Sequence, residues 1–387
     1  MVKLLIIFTF NISLNNVEKS GYLARAINYY KKLTNQDIEL TLLTYGNYND
    51  LKYSKLLSNV KILPCLKYIY SKNSKLKFIK SLLIPFKLKS LFKDIDIITT
   101  TQIRGSWVGI IAKILYNKKI ILRGGYEWYR NVRQRFYFMD KKNYLNFLYN
   151  LIKIYTIEFI AYKLADAIIL TNESDIDFII KAFKLKGKRK KIQYIPNFID
   201  VNQFKPNNLK KKVNHILFIG RLSPEKNLFN LLNAIKNLRF ISLDIIGSGP
   251  DENKLKIKAK ELGININFLG MIPNDQLPKI INQYSIFVLP SFYEGNPKVL
   301  LEAMSCGLAC IGTNVRGINN IIKHEKNGYL CETNSTSISN AISKVYNNRE
   351  LREKIGKAAR SYIVNNCSLN SIIDKEYSLY KSILKKF

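Results

Sequence analysis

Acidic residues are scarce in this sequence of 387 residues. The chain has 28 Asp and Glu against 62 Lys and Arg, which gives a formal net charge of +34. An excess of this size predicts an anionic partner, such as nucleic acid, an acidic membrane surface or a phosphorylated substrate. A codon bias toward lysine, asparagine and isoleucine is the alternative explanation, and composition alone leaves both open.

Histidine, paired cysteine and long apolar runs are also lacking. The two histidines are far apart, and the five cysteines form no Cys-x-x-Cys pair, which argues against a zinc site. The odd, unpaired cysteines predict a reduced, cytosolic protein. No stretch reaches the ~18 consecutive apolar residues of a membrane-spanning helix. The apolar run 4–10 has no small-residue cleavage site after it, so it predicts a buried strand rather than a signal peptide.

Short apolar runs alternate with helix-period segments along most of the chain. This βαβ pattern predicts an α/β protein with parallel, doubly wound sheets, and the length suffices for two such domains. The predicted strands of the first series are 3–10, 39–43, 60–63, 95–99, 119–122, 167–170 and 192–195. Those of the second series are 215–219, 241–246, 266–269, 286–289 and 309–312.

The most informative stretch runs from strand 286–289 into a predicted helix that carries a second carboxylate. A parallel strand delivers its following loop to the carboxyl edge of the sheet, where open α/β sheets bind ligands, so Glu294 is expected there. Gly295 lets the backbone approach a ligand, and Pro297 suits a first helical turn, whose free N–H groups favour an anion. Glu294 and Glu302 together can hold two hydroxylated parts of one ligand.

The segment Pro-Ser-x-x-Glu-Gly-x-Pro, followed by the second glutamate, resembles the signature of glycosyltransferase family 4, also described as glycosyl transferases group 1. Members are retaining nucleotide-sugar transferases of GT-B fold. The resemblance implies two Rossmann-like doubly wound domains that face each other across a cleft. It implies that Glu294 lies at the donor sugar beside the backbone of Gly295 and Asn296, and that Glu302 binds the ribose. The sequence also resembles the family at Pro196–Asp200, where Phe198 replaces the usual glycine.

Domain boundaries follow from the two strand series and from this resemblance. Residues 1–199 are expected to form the amino-terminal acceptor domain, and residues 200–370 the carboxyl-terminal donor domain. In the GT-B fold the last helix returns to the first domain. The resemblance therefore implies that a helix within 371–387 joins residues 1–199.

Glycines and cations after other strands predict the rest of the donor site. Gly220-Arg221, followed after four residues by Lys226-Asn227, resembles the Gly-Arg…Lys-Asn element of the family. Arg221 can grip a diphosphate with two hydrogen bonds and Lys226 adds a point charge. The other candidates are glycines at which the backbone can come close to the donor, and two residues after strand 266–269 that the resemblance expects to contact the base. These residues are Gly21, Gly220, Gly249, Met271 and Ile272.

A Gly-Gly pair followed by an aromatic–acid–aromatic cluster ends strand 119–122. Gly125, Tyr126 and Glu127 are therefore candidates for the acceptor side, in a rim that binds sugar hydroxyls. A plain loop with its aromatics in the core is an equally good interpretation. Many family members carry a histidine in this domain, but residues 1–200 contain none.

The basic stretch 67–93 suggests contact with a membrane surface. Leu76, Ile79 and Phe86 share one face of a helical projection, and lysines surround it, while Pro85 is expected to kink or end the helix. A basic amphipathic helix is typical of membrane-surface elements. A packed helix with a solvated lysine face fits the sequence equally well.

We therefore predict a metal-independent, hexosyltransferase-type enzyme without a cofactor, cytoplasmic and peripheral on the inner face of the cell membrane. It would move a sugar from a nucleoside-diphosphate donor to a glycan or lipid-linked acceptor in cell-surface polysaccharide, lipopolysaccharide or glycolipid synthesis. One alternative is a catalytically inactive GT-B protein that binds glycans or nucleotides. Another is a basic nucleic-acid-binding protein, although no such motif is apparent and no nucleic-acid partner is expected. A sugar phosphorylase or nucleotide-sugar epimerase of the same fold is a further rival.

Overall fold

The computed structural model describes residues 1–125, 127–135 and 144–385. The chain forms two compact units within it. The first unit consists of Met1–Ile195 together with Ile373–Phe387, and the second consists of Pro196–Ile372. The second unit is thus one continuous stretch, whereas the first is built from both ends of the chain.

The first unit contains a seven-stranded sheet in which every neighbouring pair is parallel. Its strand order is β3-β2-β1-β4-β5-β6-β7, so the order reverses between β1 and β4. The strands are β1 (Val2–Ile7), β2 (Ile38–Thr44), β3 (Val60–Pro64), β4 (Ile97–Thr100), β5 (Lys119–Gly124), β6 (Ala167–Leu170) and β7 (Ile192–Tyr194). β4 and β6 are buried along their whole length, as expected where helices cover both faces of a parallel sheet.

Helices alternate with these strands. They are α1 (Leu14–Lys19), α2 (Leu23–Thr34), α3 (Leu66–Ile69), α4 (Ser74–Leu82), α5 (Ile84–Lys87), α6 (Lys89–Asp94), α7 (Ser106–Tyr116), α8 (Trp128–Arg135), α9 (Tyr144–Leu164) and α10 (Ser174–Ala182). Short 3-10 turns at Tyr48–Lys55 and Arg189–Lys191 complete the described connections.

The second unit repeats the plan with a six-stranded parallel sheet of order β10-β9-β8-β11-β12-β13. Its strands are β8 (His215–Ile219), β9 (Ser242–Ile246), β10 (Ile266–Phe268), β11 (Ile286–Leu289), β12 (Ala309–Thr313) and β13 (Tyr329–Cys331). Its helices are α11 (Leu228–Lys236), α12 (Glu252–Leu262), α13 (Leu277–Ile281), α14 (Lys298–Ser305), α15 (Ser335–Asn347) and α16 (Arg349–Cys367), followed by α17 (Leu369–Leu384). The prediction of two parallel, doubly wound sheets is confirmed.

Two elements of the structure were not predicted. The loop after β1 contains α1, which Ser13 starts with a capping box to Asn16. The buried Asp50 carboxylate also accepts hydrogen bonds from the Leu14 and Asn15 N–H groups. Sequence analysis missed α1, because a side chain 36 residues away supplies part of its cap. The short edge strand β13 was missed, since three residues carry too little pattern.

The basic stretch 67–93 forms several short helices, α3 to α6, rather than one long helix. Pro85 lies in the first turn of α5, so the expected end of the helix before it is confirmed. Ile79 and Phe86 remain 54% and 55% exposed, so this apolar face is largely open to solvent. Lys80 and Lys87 donate hydrogen bonds to the carbonyls of Tyr70 and Tyr68, which ties α4 and α5 to the segment before them.

The last helix, α17, leaves the second unit and packs in the first from Ile373 onward. Its fully buried Glu376 carboxylate forms an ion pair with Arg123 of β5. The hydroxyls of Tyr29 and Tyr380 donate hydrogen bonds to the same carboxylate, at 2.5 and 3.2 Å. This group of four residues, the Glu376 cluster, anchors the end of the chain to the first sheet.

Candidate active site

Two loops of the second unit leave the carboxyl ends of β8 and β11, on either side of the point where the strand order reverses. The loops span residues 220–227 and 290–297. Their backbones are joined, because the Phe292 N–H donates to the Glu225 carbonyl at 2.9 Å. Open α/β sheets bind ligands at such reversal points. The topology therefore brings the predicted cations and the first glutamate to one binding edge.

Lys226 and Glu294 form an ion pair across these two loops. The Lys226 Nζ lies 2.6 Å from Glu294 Oε1, and the side chains are 17% and 10% exposed. The Ser291 hydroxyl donates to the same oxygen at 2.7 Å. Among the described residues, the hydrogen bonds of the Glu294 carboxylate are made through Oε1 and none through Oε2. The ammonium group and the carboxylate are thus neighbours within one site.

Asn227, next to the cation, fixes the two loops to each other. It adopts a left-handed conformation with φ of 57°, which Asn tolerates better than most residues. Its buried amide donates to the carbonyls of Pro290 and Thr333, at 2.9 and 2.8 Å. The Lys-Asn part of the motif therefore combines a site cation with the residue that holds its loop in place.

A third loop, which follows β12, packs against the backbone of Glu294. The Glu294 N–H donates to the Arg316 carbonyl at 3.0 Å. Gly317 has φ of +85°, and a Cβ there would lie 2.4 Å from the Glu294 carbonyl oxygen and 2.5 Å from that of Gly295. Only glycine fits this approach. Arg316 and Gly317 were not predicted as site residues. A glycine shortly after the predicted strand 309–312 was the feature of the sequence that could have indicated this loop.

Asn296 is held by the segment that begins the second unit. Asn197 donates its N–H to the Asn296 side-chain oxygen at 3.2 Å, and its amide to the Asn296 carbonyl at 3.0 Å. Pro297 is the residue immediately before α14 rather than part of its first turn. The Pro-Asn element at 196–197 thus has a physical role, since it positions the backbone beside Glu294.

Glu302 lies inside α14 and is 1% exposed. Its Oε1 accepts a hydrogen bond from the Asn274 amide at 3.0 Å. Asn274 belongs to the loop after β10, the same loop that carries the predicted base contacts Met271 and Ile272. Met271 is 71% exposed and Ile272 is half-buried. The structure therefore links the second glutamate to the loop that was predicted to receive the base.

Arg221 is exposed, and it forms no ion pair with any residue that the structure describes. The glycines around it pack backbone against backbone. A Cβ on Gly247 would lie 1.9 Å from the Gly220 carbonyl oxygen, and one on Gly249 would lie 2.2 Å from that of Leu222. Gly249 is thus required by the packing of two neighbouring strand-end loops, which holds the backbone beside Arg221.

The acceptor-side candidates of the first unit have different positions. Glu127 is 2% exposed, and the Tyr162 hydroxyl donates a hydrogen bond to it. A Cβ on the preceding Gly124 would lie 2.3 Å from Glu127 Oε1, so this carboxylate is packed inside the unit. The prediction that Glu127 belongs to an exposed rim is corrected accordingly. Gly125 is half-buried, and Tyr126 lies outside the described residues.

A second buried carboxylate, Glu158 of α9, lies near Glu127 and was missed from the sequence. Its Oε1 accepts hydrogen bonds from the N–H groups of Trp128 and Tyr129, which begin α8. Burial raises the pKa of Glu158 well above its usual range, and the Glu127 charge raises it further. Glu158 therefore acts as an anchor for α8.

Gly21 occupies the turn between α1 and α2, with φ of 75°. A left-handed turn of this kind favours glycine without any ligand. Across the residues that the structure describes, no three His, Cys, Asp or Glu side chains are grouped so that they could hold a metal ion. No described helix is long and apolar enough to cross a membrane.

Solved structures identify the fold of the chain. Sucrose-phosphate synthase from Thermosynechococcus elongatus is similar over 100% of both chains, with a TM-score of 0.78 and 17% identity. Anabaena HepE in complex with UDP is similar over 98% of this chain and 100% of its own, with a TM-score of 0.74 and 15% identity. The chain thus has the GT-B fold of glycosyltransferases, with two Rossmann-like domains.

Sequence comparison finds similarity to known glycosyltransferases. Residues 200–362 match the family Glycosyl transferases group 1. The Escherichia coli UDP-Gal:alpha-D-GlcNAc-diphosphoundecaprenol alpha-1,3-galactosyltransferase is 32% identical over 243 residues, which is 58% of this chain and 62% of that relative. The chain thus aligns with less than two thirds of this relative. The match to the glycosyl transferases group 1 family lies within the second unit, and the predicted resemblance is confirmed.

Proposed function

We propose that this chain is a retaining glycosyltransferase of family 4 that moves a sugar from a nucleoside-diphosphate donor to a glycan or lipid-linked acceptor. The observation that carries the proposal is the ion pair of Lys226 with Glu294 at the strand-order reversal. Arg221 belongs to the same loop as Lys226 and forms no ion pair with a described residue. A nucleoside-diphosphate sugar presents both an anion and hydroxyl groups. Cations and a carboxylate held this close together match the two kinds of group.

In this proposal, Arg221 and Lys226 stabilise the leaving diphosphate, because charge accumulates on it in the transition state. They supply the positive charge that a metal ion supplies in other transferases, so the reaction is metal-independent. Backbone groups at Gly220 and Gly249 shape the phosphate loop, and Gly21 of the first unit is a further candidate for donor binding.

The two glutamates have different partners in the donor. Glu294, with the backbone at Gly295, Asn296 and Pro297, positions the sugar through the oxygen that Lys226 and Ser291 leave unused. Glu302 binds the ribose hydroxyls, and Asn274 fixes its orientation through a 3.0 Å hydrogen bond. Met271 and Ile272 contact the base from the same loop as Asn274.

Retention of configuration follows a same-face route in this proposal. The departing phosphate oxygen removes the proton of the acceptor hydroxyl, which attacks from the side that the diphosphate leaves. This route needs no protein base. Residues 1–200 contain no histidine, and Glu127 is packed against Tyr162, which supports a route of this kind.

The relatives support the substrate classes. One similar structure holds UDP, and the galactosyltransferase relative is named for a UDP-sugar donor and a sugar acceptor linked to a lipid diphosphate. We extend these classes to this chain as a nucleoside-diphosphate sugar and a lipid-linked or glycan acceptor, in cell-surface polysaccharide, lipopolysaccharide or glycolipid synthesis. The five cysteines, all free thiols, support a cytoplasmic location.

An anionic membrane surface is the second proposed partner. Leu76, Ile79, Leu83 and Phe86 are between 45% and 55% exposed on α4, α5 and the residue that joins them. Lysines of the same segment surround them. Exposed apolar side chains within a basic surface are typical of elements that lie in the headgroup region of an anionic bilayer. Such docking would bring the enzyme to the inner face of the cell membrane.

The test is a screen for hydrolysis of donors. The purified chain is incubated with a panel of nucleotide sugars, and the released nucleoside diphosphate is measured. We expect hydrolysis of one or a few donors, and Arg221→Ala should lower the affinity for the diphosphate roughly tenfold. Arg239→Ala, at an exposed arginine elsewhere in the second unit, is the matched control.

Binding of a nucleoside diphosphate without hydrolysis of any donor would favour the alternative, an inactive GT-B protein that binds nucleotides. Equal effects of Arg221→Ala and Arg239→Ala would show that Arg221 is not at the phosphate site.

A further inference from the structure

A cavity of about 540 Å³ lies in the first unit, within the range of about 300–1,000 Å³ typical of small-ligand sites. Residues that follow β1, β4 and β5 line it, together with α4 and α9. It therefore opens at the carboxyl edge of the first sheet, where the strand order reverses. None of the predicted site residues lines this cavity.

The interior of the cavity is aromatic. Trp107 packs edge-on against Phe10 and Phe78, with ring centroids 5.2 and 4.9 Å apart. Its indole N–H donates to the buried Ser81 hydroxyl at 2.8 Å, which fixes the ring. Trp128 forms another part of the wall. The chain contains two tryptophans, and both line this cavity.

The rim of the cavity is cationic. Lys75, Arg104 and Lys153 line it with exposed side chains. The Arg104 guanidinium lies 5.9 Å from the centroid of the Phe10 ring and 5.7 Å from that of Trp128. The Lys153 ammonium lies 5.0 Å from the Phe78 ring. None of the three forms an ion pair with a carboxylate among the described residues, so their charges are available to an external anion.

The helices that line the cavity also expose apolar side chains to solvent. On α4, Leu76 and Ile79 are 45% and 54% exposed, and on α9, Tyr149 and Ile152 are 69% and 58% exposed. These side chains would meet a hydrocarbon environment without cost. An aromatic cavity with a cationic rim, carried by helices of this kind, matches an amphiphile with an anionic head and an apolar chain.

We propose that this cavity binds the lipid carrier of the acceptor, a phosphate or diphosphate ester of a long hydrocarbon alcohol. Lys75, Arg104 and Lys153 hold the phosphate head, and the first hydrocarbon units lie against Phe78 and the two tryptophans. This inference rests on the proposed function, because it specifies the acceptor as a lipid-linked sugar phosphate. It assigns the acceptor class to a site in the first unit alone.

Intrinsic tryptophan fluorescence tests the inference directly, since both tryptophans of the chain line the cavity. The full chain is titrated with farnesyl diphosphate, and separately with inorganic diphosphate and with farnesol. We expect a saturable change in emission with farnesyl diphosphate, and at least tenfold weaker responses to either half-ligand. A response as strong to farnesol as to farnesyl diphosphate would reject the phosphate site, and no saturable response would reject the cavity.

Paired variants separate the rim from general charge. Lys75→Ala combined with Lys153→Ala should weaken farnesyl diphosphate binding roughly tenfold or more. Lys61→Ala combined with Lys186→Ala removes the same charge from exposed positions of the same unit and should leave the affinity unchanged. Equal losses in both pairs would overturn the assignment of the rim. Val132→Phe should weaken binding by filling the cavity, as measured by calorimetry.

Failure here is distinguishable from failure of the proposed transferase. Hydrolysis of a nucleotide sugar depends on the second unit and needs no lipid. A chain that hydrolyses donor but does not bind farnesyl diphosphate would disprove this inference and leave the transferase proposal intact. A chain that binds farnesyl diphosphate without hydrolysing any donor would support this inference and contradict the transferase proposal.

Discussion

Lys226 and Glu294 neutralise each other within the second unit, and this has consequences for how either could meet a donor. Both side chains are mostly buried, so their attraction is screened less than that of a surface pair. A diphosphate that approaches Lys226 must therefore share its ammonium group with Glu294. In the proposed mechanism this sharing couples the position of the sugar to that of the phosphate.

Removing the charge of Glu302 is expected to affect nucleoside-diphosphate affinity, whereas removing that of Glu294 is expected to affect kcat. Glu302→Gln should weaken free nucleoside diphosphate roughly tenfold or more, because the ribose loses a charged acceptor. Glu294→Gln should leave that affinity unchanged or slightly higher, since Lys226 loses a competing partner, but it should lower kcat. Calorimetry with nucleoside diphosphate and steady-state rates measure both effects.

Glu332→Gln is the control for that pair, because Glu332 is an exposed glutamate of the same unit. It should change neither quantity. Loss of diphosphate binding in Glu294→Gln alone would mean that the roles of the two residues are reversed.

At the scale of elements, α4 and α5 combine lysines with exposed apolar side chains. We predict that replacing Lys77, Lys80, Lys87 and Lys89 with Glu releases the chain from anionic liposomes in a sedimentation assay. Each basic residue near such a surface contributes about 1 kcal/mol. Ile79→Ser with Phe86→Ser should also weaken binding, without changing charge or the hydrogen bonds of Lys80 and Lys87.

A charge-matched control comes from the second unit, where Lys254, Lys279, Lys326 and Lys357 are exposed. Replacing these four with Glu should leave liposome binding largely intact. Equal release by both sets would mean that the net charge of the chain, rather than this surface, drives binding.

The Glu376 cluster joins α17 to the sheet of the first unit through a buried ion pair. Glu376→Gln would leave the buried Arg123 charge without its carboxylate, and breaking a buried pair in this way costs about 3–5 kcal/mol. We expect the urea midpoint of the first unit to fall accordingly. Asp374→Asn, at an exposed position of the same helix, should change stability by no more than about 0.5 kcal/mol. Similar midpoints for the two variants would contradict the cluster.

At the scale of the whole molecule, the proposed chemistry does not depend on a divalent ion. Transfer or donor hydrolysis should therefore persist in excess EDTA, because Arg221 and Lys226 carry the charge of the leaving group. The measurement is the rate with and without chelator at constant ionic strength. Full loss of activity that magnesium or manganese restores would contradict this part of the proposal.

β8, β9, β11 and β12 of the second unit could be predicted from the sequence because their apolar runs are buried along nearly their whole length. β8 and β11 match their predicted bounds, and so the loops that carry Arg221 and Glu294 were placed correctly in the fold. What could not be predicted depends on distant contacts. Nothing local to Asn197 or Gly317 reveals that they pack against Asn296 and Glu294. The burial of Glu127 likewise depends on Tyr162, 35 residues away.

The discontinuous first unit has a consequence for synthesis on the ribosome. All seven strands of its sheet have been made by Tyr194, but Glu376, the partner of Arg123, emerges only after the entire second unit. At about 5–20 residues per second, that delay is roughly ten to forty seconds. During this interval Arg123 lacks its counter-ion, because the ion pair with Glu376 cannot form before α17 has been synthesised. The second unit, in contrast, is complete as soon as it emerges. Backbone hydrogen bonds of Ile199 with Cys367 and Leu369 join its two ends.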